Sequence, residues 1–487
     1  MQLIKKPGFF SLPILFCVAV ILLNGCSVLQ SKEDTSAEIK TELPASKDKQ
    51  VDTEGEAKSA PADLPANELT ADLLYDLLLA ELALQNNNYD LAFEKYFQAA
   101  EQTGDPRLIK KATRATLFSK NDAQTNKSVK LWSELQPGNL DVQQIYASSL
   151  ITQKKDEQAL VYMQRVIDLS EDYPAGLKRC VAILDTIPER QRVDDLFAEL
   201  TRSHMNLPIV HLYASKIAIK FGDYETADRS LDQALALQPD DLETRIVKVE
   251  LLKKQQRDQQ AISLLRDIVA DEPDNVELRL ELARLLVANK QGKEAFKHIQ
   301  ILAQDDEISP EVLFAIGLLS MEIEELDASK QYLERLHAYR LYAGEAAYFI
   351  GQLEAARKNY PEAEQWFKRV QHGQYELEAH LRLALVLAQQ GKLDEAVEIL
   401  DGYETDNPKQ RIEILQIKAE VYGQNEKYKT GYDIYTEALN LSPNNHELLY
   451  GRAMLAEKFG RIDLLEEDLL TIIDENPKDN QALNDLF

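Results

Sequence analysis

The sequence predicts an all-α solenoid of about twelve antiparallel helix pairs, and three periodic observations predict it. A small residue returns about every 34 positions through Ala227, Ala261, Ala295, Ser329, Ala363, Ala396 and Gly431, with Leu465 closing the series. Earlier, Ala92, Ala159 and Ala227 stand 67 and 68 residues apart, two periods each. Prolines run in step with them: Pro239, Pro273, Pro408, Pro443 and Pro477. Four residues after each small position comes an apolar one: Tyr96, Met163, Leu231, Leu265, Ile299, Leu333, Phe367, Leu400, Tyr435 and Leu469. A period in this range means stacked helical hairpins, none of which buries its apolar face alone.

Each unit begins nineteen residues before its small position, which gives twelve full units between about 73 and 479. Five residues before the small site stands Gly222, Gly391 or Gly460, with Asn87 in the first unit, residues suited to the left-handed conformation that ends a helix. A turn-packing residue follows two places on: Tyr89, Tyr224, Tyr360, Leu393, Tyr428 or Ile462. The second helix then sets its small residue and the apolar one a turn later on a single face. Proline stops that helix, and Asp or Asn caps the next. Unit 8 has Ser329 at the small site; units 2 (107–139) and 4 (175–207), with Thr125 and Val193 there, rest on spacing more than on residues.

This pattern resembles the tetratricopeptide repeat (TPR), a 34-residue antiparallel helix pair. The resemblance implies a superhelical solenoid over 68–487 whose first helices line a concave groove through their positions 2, 5, 9 and 12. Carried onto units 7–10, these positions give Leu280 and Arg284, then Phe314, Leu318 and Met321, then Tyr348 and Gln352, then Leu381 and Leu385. Units 6 and 11 offer Glu250, Lys253, Gln416 and Glu420 instead. An apolar seam with polar ends is a surface for extended or helical polypeptide, with packing between neighbouring helices as the competing use of the same residues.

The first 25 residues read as an address. Lys5 and Lys6 precede an apolar run from Phe9 to Leu23, too short and too broken by Pro13 for a transmembrane span. Leu23-Asn24-Gly25-Cys26 is similar to a bacterial lipobox, although Asn24 departs from its commonest pattern. That resemblance implies cleavage before Cys26 and acylation of it. Ser27, where Asp would retain such a lipoprotein in the inner membrane, implies an outer-membrane, periplasm-facing anchor. Two or three acyl chains hold stably where one does not. Residues 26–67 then form a tether: 27–67 hold nine acids, five lysines and no aromatic residue, a composition expected to be disordered. Such a coil spans roughly 35 Å on average.

With Cys17 in the signal and Cys26 acylated, Cys180 is the one free thiol, set in an apolar helical run and expected in the core. The formal charge of −27 argues against nucleic acid and against anionic lipid as partners of the solenoid, leaving the acyl chains as the membrane contact. No phosphate-binding loop, nucleophile elbow or metal-ligand spacing is present, and the seven histidines are scattered. The sequence therefore predicts no enzyme, cofactor or metal. Glutamate is the second residue of seven consecutive units (Glu243, Glu277, Glu311, Glu345, Glu378, Glu413, Glu447), and Asp240-Asp-Leu-Glu243, Asp274-Asn-Val-Glu277 and Asn444-Asn-His-Glu447 read as capping boxes.

The opening stretch, from Leu77-Leu78-Leu79-Ala80-Glu81 to Thr103-Gly104-Asp105-Pro106, resembles the large proteobacterial TPR lipoproteins that partner a periplasmic carboxyl-terminal processing protease. The resemblance implies an adaptor that holds substrates, peptidoglycan hydrolases among them, for that protease. Two other readings stand beside it: a scaffold in a pilus or exopolysaccharide machine, and a murein or glycan binder. The last ranks third, since the two tryptophans, Trp132 and Trp366, fall at second-helix packing sites. Residues 481–487 open a thirteenth unit and stop at its position 8, an expectation that the natural solenoid continues, with dimerisation through that end as the rival.

Overall fold

The computed structural model describes residues 69–486; the signal, the lipobox and the tether lie outside the described residues. The described chain divides into two compact bodies, 69–268 and 269–486. Among the described residues there are 25 helices and no strand.

In the first body the hairpins, numbered from one, pair Ala71–Gln85 with Tyr89–Thr103, Pro106–Ser119 with Asp122–Leu135, Leu140–Thr152 with Asp156–Leu169, Tyr173–Leu184 with Arg190–Thr201, and Pro208–Lys220 with Tyr224–Leu237. Leu242–Lys254 opens the sixth, and the division between bodies falls within its second helix, Asp258–Asp271. The second body carries hairpins seven to twelve: Val276–Ala288 with Gly292–Ala303, Pro310–Glu322 with Leu326–His337, Ala343–Ala356 with Tyr360–Phe367, Glu376–Gln389 with Leu393–Asp401, Pro408–Gln424 with Tyr428–Leu441, and His446–Lys458 with Ile462–Glu475. Asn480–Leu486 follows alone. Units 2 and 4, which rested on spacing, are hairpins like the rest.

The small residues sit where the period requires. Ala92, Ala159, Ala227, Ala261, Ala295, Ser329, Ala363 and Ala396 are all 0% exposed, each at the crossing of two helices. The first helix supplies a second small site in the same period, through Ala283, Gly317, Gly351, Ala384, Ala419 and Ala453. The approach is close enough to exclude a larger group: a Cβ at Gly351 would lie 2.7 Å from the Phe367 ring, and one at Gly431 2.8 Å from the Ala419 carbonyl oxygen. Ser329 fits this crossing by donating its hydroxyl to the Gly317 carbonyl at 2.8 Å. Cys180 is likewise core, fully buried, with its thiol donating to the Met163 carbonyl and burial pushing it up to about 12.

The turn signal proves more general than the glycines. Gly222, Gly391, Gly460 and Asn87 have φ of 74, 74, 81 and 57°, and the same register position is left-handed in Lys120, Lys154, Gln256, Lys290, Glu324, Lys358 and Glu426. Only hairpin 4 departs, because Pro188 holds that position and its ring fixes φ near the negative value. There Ile187 is buried instead, and Lys220 closes the turn by donating to the Asp185 and Ile187 carbonyls. A non-glycine residue held left-handed costs about 1 kcal/mol. Lys290→Gly is therefore expected to raise stability by roughly that amount in denaturant titration, and Lys290→Val to lower it.

Two expectations are corrected. Pro408 does not stop a second helix; it is the first residue of Pro408–Gln424, capped by Asn407, where its missing N–H has no partner to lose. The capping boxes also fail by one residue. The caps are Asp241, Asn275 and Asn445, whose side chains accept from Thr244, Leu278 and Leu448 backbone N–H at 2.8, 3.0 and 3.1 Å. Glu243, Glu277 and Glu447 thus stand second in their helices, a place favoured by the helix dipole but unable to reach back to the cap.

Candidate functional site

With the cap satisfied by its own side chain, the second-position glutamates can join neighbouring hairpins. In the first body Glu243 pairs with Lys216 at 2.6 Å. In the second, Glu447 accepts from Gln416 at 2.9 Å, and Glu311 accepts from the Tyr342 hydroxyl at 2.6 Å, which holds its carboxyl below the ordinary range. These contacts mark the side of each hairpin formed by its first helix, where the seam was expected.

In the second body the structure withdraws five of the nine seam residues from that surface. Leu280, Leu318, Met321, Tyr348 and Leu385 are between 2 and 8% exposed. The physical reason is that successive first helices touch, Val276–Ala288 against Pro310–Glu322 and Ala343–Ala356 against Glu376–Gln389, so the flank turned to the neighbour is covered. Arg284, Phe314, Gln352 and Leu381 remain half-exposed.

What backs this face is an aromatic cluster that the helix positions alone did not reveal. Tyr375 stacks on Tyr348 with ring centroids 4.6 Å apart and planes 12° from parallel. Phe349 meets Tyr375 edge-on at 5.3 Å, and Phe314 lies 5.5 Å from Phe349. Tyr375 reaches this place because the second helix of hairpin 9 is only eight residues, Tyr360–Phe367. Residues 368–375 return without helix, anchored by buried Val370 and turned at Gly373, whose φ is 108°. The available signal was a local break, Gln371-His-Gly373-Gln-Tyr375, in an otherwise helical period. The result is a rim of half-exposed Phe314 and Tyr375 over a packed floor of Tyr348 and Phe349, with half-exposed Leu381 at the equivalent repeat position of the next first helix.

At the far polar end, half-buried Glu420 lies beside Glu447 and Arg382. Burial is the main cause that pushes its carboxyl up to about 6, with the Glu447 charge adding to it and the Gln416 hydrogen bond and Arg382 opposing it. An acid raised in the folded state loses stability as pH climbs from its unfolded value toward 6, so Glu420 costs about 1–2 kcal/mol at neutral pH. Glu420→Gln is expected to raise the melting temperature at pH 7, with the gain vanishing toward pH 4.5 in a pH series of thermal melts.

Among the described residues no three of His, Cys, Asp and Glu group as a metal site, and several histidines are bound to backbone: His211 to Met205, His337 to Ala343 and His380 to Glu376 carbonyls at 2.8, 2.9 and 2.8 Å. Trp132 and Trp366 are packing residues, the first donating to Gln136 at 2.8 Å and the second 8% exposed beneath Arg369. No helix of the described residues is long and apolar enough to cross a membrane.

These helix pairs have the tetratricopeptide repeat fold. The tetratricopeptide repeat family matches residues 218–274 and 255–312, and the tetratricopeptide repeat-like domain family matches 317–462. The TPR repeat-containing protein PA4667 of Pseudomonas aeruginosa is 28% identical over 474 residues, covering 96% of this chain and 77% of its own length. Among solved structures, a tetratricopeptide repeat protein of Parabacteroides merdae is 15% identical over 50% of this chain and 97% of its own, with a TM-score of 0.33. Yeast Tom70 is 14% identical over 84% and 94%, with a TM-score of 0.32. Proteins built of such repeats are generally non-catalytic scaffolds that bind proteins or peptides.

Proposed function

We propose that this protein is a non-enzymatic adaptor at the periplasmic side of the outer membrane, held by acyl chains on Cys26, which captures polypeptide clients and delivers them to a carboxyl-terminal processing protease. The observation that carries the capture step is the half-exposed rim of Phe314 and Tyr375 set on a packed aromatic floor, with half-exposed Leu381 at the matching position of the next first helix. Rigid aromatic anchors over a dry base are what protein-binding surfaces use, because little side-chain freedom is lost on contact. The lipobox-like Leu23-Asn24-Gly25-Cys26 and Ser27 support the anchor, and the resemblance of the opening stretch supports the protease.

Affinity capture from solubilised envelope tests it, comparing the parent with a Phe314→Ala, Leu381→Glu double variant. A processing protease together with a peptidoglycan hydrolase in the parent, and loss of the hydrolase in the variant, is the expected result. Recovery of a pilus or export complex, or of murein alone, would overturn the delivery role. Cys26→Ser is expected to abolish acyl labelling and outer-membrane sedimentation; unchanged labelling would refute the anchor.

A further inference from the structure

Among the described residues, the first helix of the first body carries an exposed apolar row. In Ala71–Gln85, Leu74, Leu78 and Leu82 recur one turn apart and are 44, 56 and 55% exposed, with Tyr75 beside them at 65%.

A basic row runs next to it. Residues 106–130 hold seven Lys or Arg and a single acid, Asp122, in a chain whose formal charge is −27. Lys110, Lys111 and Arg114 are exposed along one flank of Pro106–Ser119. The Lys111–Glu81 ion pair joins that flank to the helix bearing the leucines, so the apolar and basic rows are adjacent. Arg107 is forked onto its own cap Asp105 at 2.6–3.1 Å.

We propose that this double row docks on an anionic phospholipid bilayer. It rests on the Cys26 anchor for proximity, and it revises the expectation, drawn from net charge, that acyl chains alone meet the membrane. The chemistry selects the occupant. The acids of residues 27–67 could meet the bases, but that segment holds no aromatic residue or apolar run to cover the leucines. A bilayer offers both at once, an acyl boundary for the leucines and anionic headgroups for the bases. Each Lys or Arg at such a surface strengthens binding about fivefold. A face this small suffices because a tether holds it at roughly millimolar effective concentration.

The test uses the full chain as isolated, carrying Ala71→Cys labelled with an environment-sensitive dye; the chain without that cysteine sets the background. Vesicles are phosphatidylcholine alone or equal parts phosphatidylcholine and phosphatidylglycerol. A blue shift on the anionic vesicles only is expected, erased by high salt and weakened at least about tenfold by Lys110→Glu with Arg114→Glu in a chain of unchanged circular dichroism. A shift indifferent to headgroup charge, or equal in the two chains, would overturn the proposal. So would a shift without vesicles that follows protein concentration alongside dimer sedimentation, which would assign the row to a second copy. Acyl labelling of Cys26 is read separately, so an unlipidated chain with an active face would refute the anchor and leave this face standing.

Discussion

Asp468→Ala should loosen hairpin 12, whose two helices the Asp468–Arg452 pair joins, at a cost of about 3–5 kcal/mol. The Asp468 carboxylate is 3% exposed and accepts both arms of Arg452, at 2.6 and 2.9 Å, and the same guanidinium reaches Thr436 of hairpin 11 at 3.1 Å. Removing the acid leaves a largely buried cation without its counter-charge, which is why breaking such a pair costs more than the pair contributes against a hydrophobic replacement. In a solenoid each hairpin is held by its neighbours, so the loss should appear as early opening of residues 446–486 rather than as a uniform shift. Hydrogen exchange resolved by segment checks this. The exposed Arg461–Asp463 pair, at the same 2.6 Å, serves as the control, and Asp463→Ala should leave exchange unchanged.

Tyr348→Ala should cost about 3–5 kcal/mol of stability, although its repeat position was expected to line the groove. The ring is 4% exposed, stacked on Tyr375 and edge-on to Phe349 at 5.2 Å, so its removal opens a cavity under the rim. Phe314→Ala, at the half-exposed rim, should cost clearly less stability and more client affinity. Thermal melts and client titrations on the two variants separate floor from rim. Equal stability losses would mean that both residues are floor.

The fold was legible because its determinants repeat. Ala261, Ala295 and Ala363 mark helix crossings, and Gly222 or Gly460 marks the left-handed turn, each at a fixed step that even hairpins 2 and 4 keep. What failed was local. One residue of slip in the caps turned Glu243 and Glu447 from capping partners into links between hairpins, since a side chain reach of one turn depends on register that a period of 34 does not fix. Pro408 was assigned to a helix end when it begins one, because proline suits both places. At the site, Phe314 and Leu381 stay half-exposed, but repeat positions could not tell that Tyr348 and Leu385 lie on the flank covered by the next helix. Tyr375 was missed because it sits in an interruption, where a shortened second helix and Gly373 replace the period with a turn.

The central claim is that clients bind the first-helix side of hairpins 8–10. Site-specific photocrosslinking tests it most directly, with a photoreactive residue placed singly at Phe314, at Leu381, or at Lys297, an exposed position on a second helix. Adducts with the same client from positions 314 and 381, and none from 297, are the predicted result. Adducts confined to 297, or equal yields from all three, would contradict it.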